Sequence, residues 1–314
     1  MKCNNLIDQL LKQKKYIIID GALASELQRR GCDLNDSLWS AKVLIEQPEL
    51  ISQVHYDYFK AGADCAITAS YQASPQGFAL KGIDLTTSTA LIKKSVELAK
   101  QAKQRYLNET GLNKPLIIAG SVGPYGAYLA NGSEYTGDYQ LSEAAFIDFH
   151  IDRITALIEA QVDMLACETL PSFAEIKALA KLITNFPAIS CWFSLTLKDE
   201  HHLSDGTPLT EVIEFLNGCD QIVSIGINCI ALEKVTPALE VLSTLTQKPL
   251  IIYPNSGEQY DPTTKQWHAN HSHNCTFSNQ LPRWIELGAK LIGGCCQTTP
   301  DDIAQIARLL KDKM

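Results

Sequence analysis

Eight short apolar strands, each followed by a helical pattern, predict an α/β chain closed as a (β/α)8 barrel, a single domain over residues 1–314. Three observations carry this. A cassette of helix, glycine turn, apolar strand and polar residue recurs: Phe59–Ser70 and Ile285–Cys296 nearly superimpose, and Ile158–Thr169 and Leu216–Cys229 are looser copies. The strands are near-continuous apolar runs, as strands covered on both faces are. Eight such units in 314 residues also fit a barrel, whose usual size is ~250 residues before insertions. The rival is a doubly wound open sheet, which would bring a G-x-G-x-x-G turn after the first strand. Asp20-Gly21-Ala22 offers a single glycine there, and no G-x-x-x-x-G-K-[ST] phosphate loop occurs.

In chain order, strands are expected at Tyr16–Asp20, Asp64–Ala69, Leu116–Ser121, Asp163–Cys167, Ile189–Leu195, Ile222–Asn228, Leu250–Tyr253 and Lys290–Gly293. Helices after the second, third and fifth start near Thr86, Leu141 and Pro208. After the fourth, Ser172 and Glu175 read as a capping box, each side chain taking the other's backbone N–H. Pro237 predicts a kink or a late start for the helix after the sixth. The eighth strand runs through Gly293 and Gly294, read as points of backbone freedom, into Cys295 and Cys296. Thr299 then caps a helix with Pro300 at its first position and Asp301 and Asp302 in its first turn. Ile303, Ile306, Ala307 and Leu310 share one face of it.

Composition narrows the partners. Apolar residues make up 46% and charged residues 20%, an ordinary globular balance. A net charge of −8 argues against a nucleic-acid backbone as partner. No apolar run approaches the ~20 residues of a membrane span, and Tyr16–Ile19 is too short for a signal-peptide core. The ten cysteines are therefore expected in a reducing, cytoplasmic setting, as packing residues, metal ligands or nucleophiles.

In a barrel the strand ends meet at one mouth, where chemistry is placed. Those ends carry Asp20, Ser70, Ser121, Glu168, Thr196, Cys229, Asn255 and Cys295. Two long connections on the same face, Val122–Gln140 and Ser256–Thr276, read as lids or substrate loops. Cys229 follows the sixth strand and Cys295–Cys296 the eighth, so the strands bearing them lie ~10 Å apart across the seventh. Inward thiolates can close that gap onto one ion, and three protein ligands with a fourth position open describe a catalytic zinc site. The helix starting at Thr299 would lower thiol pKa. The plainer alternative is a pair of buried core cysteines. A second cluster, His268, His271, His273 and Cys275, sits in a polar loop without helical spacing and reads as solvated. Cys3, Cys32, Cys65, Cys167, Cys191 and Cys219 lack partners at ligand-like spacing, and those within strands read as core.

The motifs Asp20-Gly-Ala, Gly120-Ser-Val-Gly-Pro, Glu168-Thr, Gly226-Ile-Asn-Cys229, Tyr253-Pro-Asn-Ser-Gly257 and Gly293-Gly-Cys-Cys296 together resemble the homocysteine S-methyltransferases. The resemblance covers essentially the whole chain. It is closest to bacterial and plant enzymes using S-methylmethionine or S-adenosylmethionine, and weaker to betaine-dependent relatives. It implies Zn²⁺ on Cys229, Cys295 and Cys296, with homocysteine sulfur as fourth ligand and a sulfonium as methyl donor. It also implies that Glu168 and Asp20 receive the homocysteine ammonium and that the N–H groups of Gly21 and Ala22 receive its carboxylate. Ser70 and Ser121 would add hydrogen bonds. Asn228 and Asn255 would orient substrate, Asn255 filling the fourth zinc position in its absence. Tyr71, Tyr125, Tyr128, Glu134, Tyr135 and Trp267 are the candidates to face the sulfonium. A betaine-dependent methyltransferase, a zinc hydrolase and a non-catalytic redox-sensing barrel are the alternatives. An all-thiolate site blunts the metal's acidity, which counts against hydrolysis.

Overall fold

The computed structural model describes residues 5–36, 38–257, 259–261, 266–268 and 276–311. Eight parallel strands form one sheet: β1 (Ile17–Ile18), β2 (Cys65–Ile67), β3 (Ile117–Val122), β4 (Met164–Leu170), β5 (Cys191–Leu195), β6 (Ile222–Asn228), β7 (Leu250–Tyr253) and β8 (Ala289–Ile292). Each pairs with its sequence neighbours and β8 pairs with β1. A parallel bridge between Ile19 and Cys65 joins β1 to β2 and closes the ring. This is the expected (β/α)8 barrel.

Strand alternation sorts the side chains. Ile17 and Ile19, Ile117 and Ala119, Met164 and Ala166, Trp192, Ile251 and Tyr253 fill the barrel interior. Ile7 and Leu10 of the helix Leu6–Leu11, which precedes β1, join that inner core. One further step of two along β3, β4 and β5 puts Ser121, Glu168 and Ser194, all buried, level with Tyr253 toward the strand ends. Leu165, Cys167, Cys191, Phe193, Ile225 and Ile227 face the other way, into the core beneath the helices. Cys65, Cys167 and Cys191 are thus packing residues, as their strand positions predict.

Several expectations are corrected. β4 runs past Glu168 to Leu170, with an irregular register against β5 between Cys167 and Leu170 and Thr169 at φ 60°. Glu168 therefore sits inside a bulged strand rather than after it. Gly293 and Gly294 are not at positive φ. Their missing side chains allow close approach: a Cβ would lie 2.7 Å from the Asp20 carbonyl oxygen at Gly293 and 2.4 Å from Thr298 Oγ1 at Gly294. The helix Leu232–Leu245 contains Pro237 within its length, so it has no late start. Ser172 does cap the helix Phe173–Ile183. The Glu175 carboxylate, however, turns inward to the Tyr125 N–H at 2.6 Å, His150 Nε2 at 2.7 Å and the Tyr139 hydroxyl, so the reciprocal half of the box is absent. Thr299 and Asp302 form the genuine capping box, exchanging both bonds at the start of Pro300–Lys311. The connection after β3 contains two short helices, Tyr125–Leu129 and Ser133–Thr136. Among the described residues no helix is long and apolar enough to cross a membrane.

Candidate metal centre and substrate cavity

Three thiols converge at the mouth. The Sγ atoms of Cys229, Cys295 and Cys296 all lie within 4.8 Å of one another, and Cys229 and Cys296 are 3.6 Å apart. Tetrahedral zinc with bonds of ~2.3 Å sets its sulfur ligands ~3.8 Å apart, so this donor set fits the ion in chemistry and spacing. Backbone geometry builds the cluster. Cys229 adopts φ 53°, turning the chain out of β6, and donates its N–H to the Tyr253 carbonyl at 3.1 Å. The Cys295 N–H reaches Pro254 O at 2.7 Å, and Gln297, at φ 64°, turns the chain toward the last helix. Adjacent cysteines can share a target because the chain has left strand geometry. Hydrogen bonds from Cys295 and then Cys296 push the Cys229 thiol well below its ordinary range, while those two are pushed up. The trio thus stabilises a thiolate on Cys229. Tyr135, kept protonated by burial, places its hydroxyl 3.3 Å from that sulfur.

Carboxyls line the other side. Asp20 is buried and accepts the Ile67 N–H at 2.9 Å. Burial raises its pKa well above normal, and the charge of Glu168 adds to the rise. His55 lies 3.9 Å away, but burial holds its pKa at about 4, so the imidazole is neutral and the two form no ion pair. Glu168 accepts a hydrogen bond from Ser121, and burial lifts its pKa to about 7 against the lowering effect of Ser121 and Tyr253. Glu134, also raised to about 7 by burial, keeps Oε2 buried with no hydrogen-bond partner among the described residues.

These groups share a cavity of about 600 Å³. Of the expected residues, Asp20, Gly21, Ala22, Glu168, Asn228 and all three cysteines line it. The Ala22 N–H is already taken by Thr298 Oγ1 at 3.0 Å, so it does not serve a carboxylate. Asn228 accepts from the Thr169 N–H and Ser194 and donates to Thr169 Oγ1, each at 2.8 Å. Its amide therefore fixes the β4 bulge from a position in the cavity wall. Ser70 and Ser121 lie behind the wall: Ser70 bonds Ser121 O at 2.8 Å, and Ser121 holds Glu168. Asn255 is buried outside the lining, its Oδ1 without a partner among the described residues.

Tyr71, Glu134 and Tyr135 face the cavity. Tyr125 and Tyr128 instead pack on Phe149, the first edge-on and the second tilted. The side chains of Trp267 and His268, and the whole of Cys3, His271, His273 and Cys275, lie outside the described residues. Sequence reasoning missed Trp39, whose ring meets Tyr71 edge-on at a centroid distance of 6.3 Å. The signal was the long connection between β1 and β2, which opens on the same mouth.

Fold and site together define a barrel with three convergent thiols, placed to hold a metal ion, beside an acidic cavity. The homocysteine S-methyltransferase family model matches residues 17–310. The homocysteine S-methyltransferase of Escherichia coli (strain K12) is 57% identical, over 98% of this chain and 99% of its own. YbgG of Bacillus subtilis (strain 168), also a homocysteine S-methyltransferase, is 51% identical over 96% and 97%. The crystal structure of the metallated homocysteine methyltransferase MmuM from Escherichia coli superposes with a TM-score of 0.89 at 54% identity, covering 99% of this chain and 100% of that one. The chain belongs to the homocysteine S-methyltransferase family.

Proposed function

We propose that this chain moves a methyl group from a sulfonium, S-methylmethionine first among them, to the thiolate of homocysteine at a zinc site made of Cys229, Cys295 and Cys296. One observation carries the reading. The cavity joins three convergent thiols to five carboxyls, Asp20, Asp33, Asp36, Glu134 and Glu168, with no Lys, Arg or His among the described residues lining it. Such a wall attracts cations, and both reactants bring positive charge.

Zinc bound there would keep the substrate thiol ionised at neutral pH, where a free thiol of pKa ~8.5 is only a few per cent thiolate. Glu168 and Asp20 hold the homocysteine ammonium through charge-assisted hydrogen bonds, with Ser121 fixing the Glu168 carboxylate. Tyr135 hydrogen-bonds and orients Cys229. In the transfer a sulfur–carbon bond forms to the homocysteine thiolate while the donor's carbon–sulfonium bond breaks. Methionine and a neutral thioether result, no proton moves, and no general base is required. Opposite charges cancel as the methyl passes, so a cavity that excludes water favours the step. Free thiols suit a reducing compartment such as the cytoplasm.

Metal analysis and a methyl-transfer assay test this. The purified protein should hold about one zinc per chain, Cys296→Ala should lose it, and homocysteine with S-methylmethionine should give methionine. Zinc without transfer from any sulfonium would overturn the reading. Transfer from betaine alone would move the chain to the quaternary-ammonium class of donors.

A further inference from the structure

Glu134 brings a carboxylate to the cavity wall from a turn that also carries a thiol contact. Asp20 Oδ2 takes the Ile67 N–H and Glu168 Oε1 the Ser121 hydroxyl, while Glu134 Oε2 is buried with no hydrogen-bond partner among the described residues. Leaving a buried acceptor unsatisfied is costly, and more so when it is ionised. The side chain is not adrift. It belongs to the single helical turn Ser133–Thr136, whose next residue, Tyr135, reaches Cys229 Sγ at 3.3 Å. Thr196 Oγ1 donates to Glu134 O at 3.0 Å, tying the turn to the end of β5. Gly126 lets it pack closely, since a Cβ there would lie 2.7 Å from Glu134 N. The same turn thus fixes one side chain on a thiol and places a carboxylate in the wall of the same cavity, with the rings of Trp39 and Tyr71 also in that wall.

We infer that Glu134 is the donor-recognition residue: its free carboxylate oxygen takes the positive charge of the methyl donor, leaving Asp20 and Glu168 to the homocysteine ammonium. This rests on the sulfonium reading above. It has a kinetic signature. The donor loses its positive charge as the methyl leaves, so attraction to Glu134 is strongest before reaction and weakens in the transition state. Glu134 therefore serves donor capture rather than turnover.

The test is steady-state kinetics of zinc-loaded Glu134→Gln with S-methylmethionine. Glutamine keeps the shape and removes the charge. The donor KM should rise at least tenfold, with kcat unchanged or raised and the homocysteine KM within twofold of wild type. Methionine, the uncharged thioether of the same skeleton, serves as a competitor against the donor, and its inhibition constant should change by less than twofold. Glu134→Asp, which keeps the charge, should recover part of the lost donor affinity and guards against a folding defect in the amide variant. An unchanged donor KM, or an equal rise in the KM of both substrates, would overturn the assignment of Glu134 while leaving the sulfonium reaction standing. Failure of the wild type to use any sulfonium removes both.

Discussion

At the scale of single residues, the cavity carboxyls make substrate binding depend on pH. Burial lifts Glu168 to about 7 and pushes Asp20 upward as well, so near neutral pH a proton competes with the proposed ammonium for this carboxyl pair. Binding an ammonium must then expel a proton. The sign follows: below about pH 7 affinity falls as protons compete, by about tenfold per pH unit for one proton released, and above it affinity levels off. Norleucine, which has the amino-acid head of homocysteine but no thiol, isolates this effect from thiol ionisation. Its inhibition constant should weaken through pH 7 to 6, with a break belonging to the Asp20–Glu168 pair jointly. Ser121 stabilises the ionised form of Glu168, so Ser121→Ala should move the break to higher pH. A flat profile from pH 6 to 8 would show that neither carboxyl meets the ammonium.

At the scale of elements, contacts between neighbouring strands and loops set the geometry. Gly226 of β6 pairs with Ile251 of β7, and an added Cβ would fall 1.7 Å from the Ile251 carbonyl oxygen. Gly226→Ala must therefore push apart the strands on which Cys229 and its partner Tyr253 stand. We expect a loss of more than ~3 kcal/mol in urea unfolding, or no folded protein, since the clash is with backbone. Gly120→Ala is the control: its Cβ would meet side-chain carbons of Leu157 and Val162 at 3.2 Å, which can yield, so the loss should be smaller. These neighbours also explain what was readable beforehand. The runs of β6 and β7 were legible residue for residue because apolar stretches and glycine turns are local signals. The three thiols were legible because strand order converts chain distance into space. The β4 bulge was not, since it arises from pairing with β5 and from the Asn228 amide, two strands away in the barrel. Nor was the inward turn of Glu175, whose local sequence fits a capping box equally well. His150 bonds both Glu175 and Arg153, and Arg153 holds the carbonyls of Tyr71 and Gly123, partners that only the closed barrel supplies.

At the scale of the molecule, the thiol cluster sits on the rim of the inner core and does not replace it. That core is Trp192, Ile251, Met164 and their neighbours, with Ile7 and Leu10 added from the N-terminal helix and Cys295 packed against it. The turn after β7 ties the thiol-bearing turns together, to the one after β8 through Ser256 N–H to Cys296 O at 3.1 Å and to the one after β6 through Asn255 N–H to Ile230 O at 2.9 Å. These bonds hold the turns together independently of any ion. Small zinc modules unfold without metal because coordination replaces a core. This barrel has an apolar core of its own beneath the thiols, so stripping the proposed zinc under reducing conditions should abolish methyl transfer while leaving the far-UV circular dichroism unchanged. Stability should still fall, because a ligand bound only to the native state adds about 4 kcal/mol at a free concentration of 1,000 times its Kd. The thermal midpoint should drop by several degrees and return, with activity, when one equivalent of zinc is restored. Hydrogen exchange should locate the difference: protection lost at Cys229–Ile230 and Gly294–Gln297, and kept in β3 to β5. Collapse of the far-UV signal on chelation would place the folding core at the thiols and contradict this division.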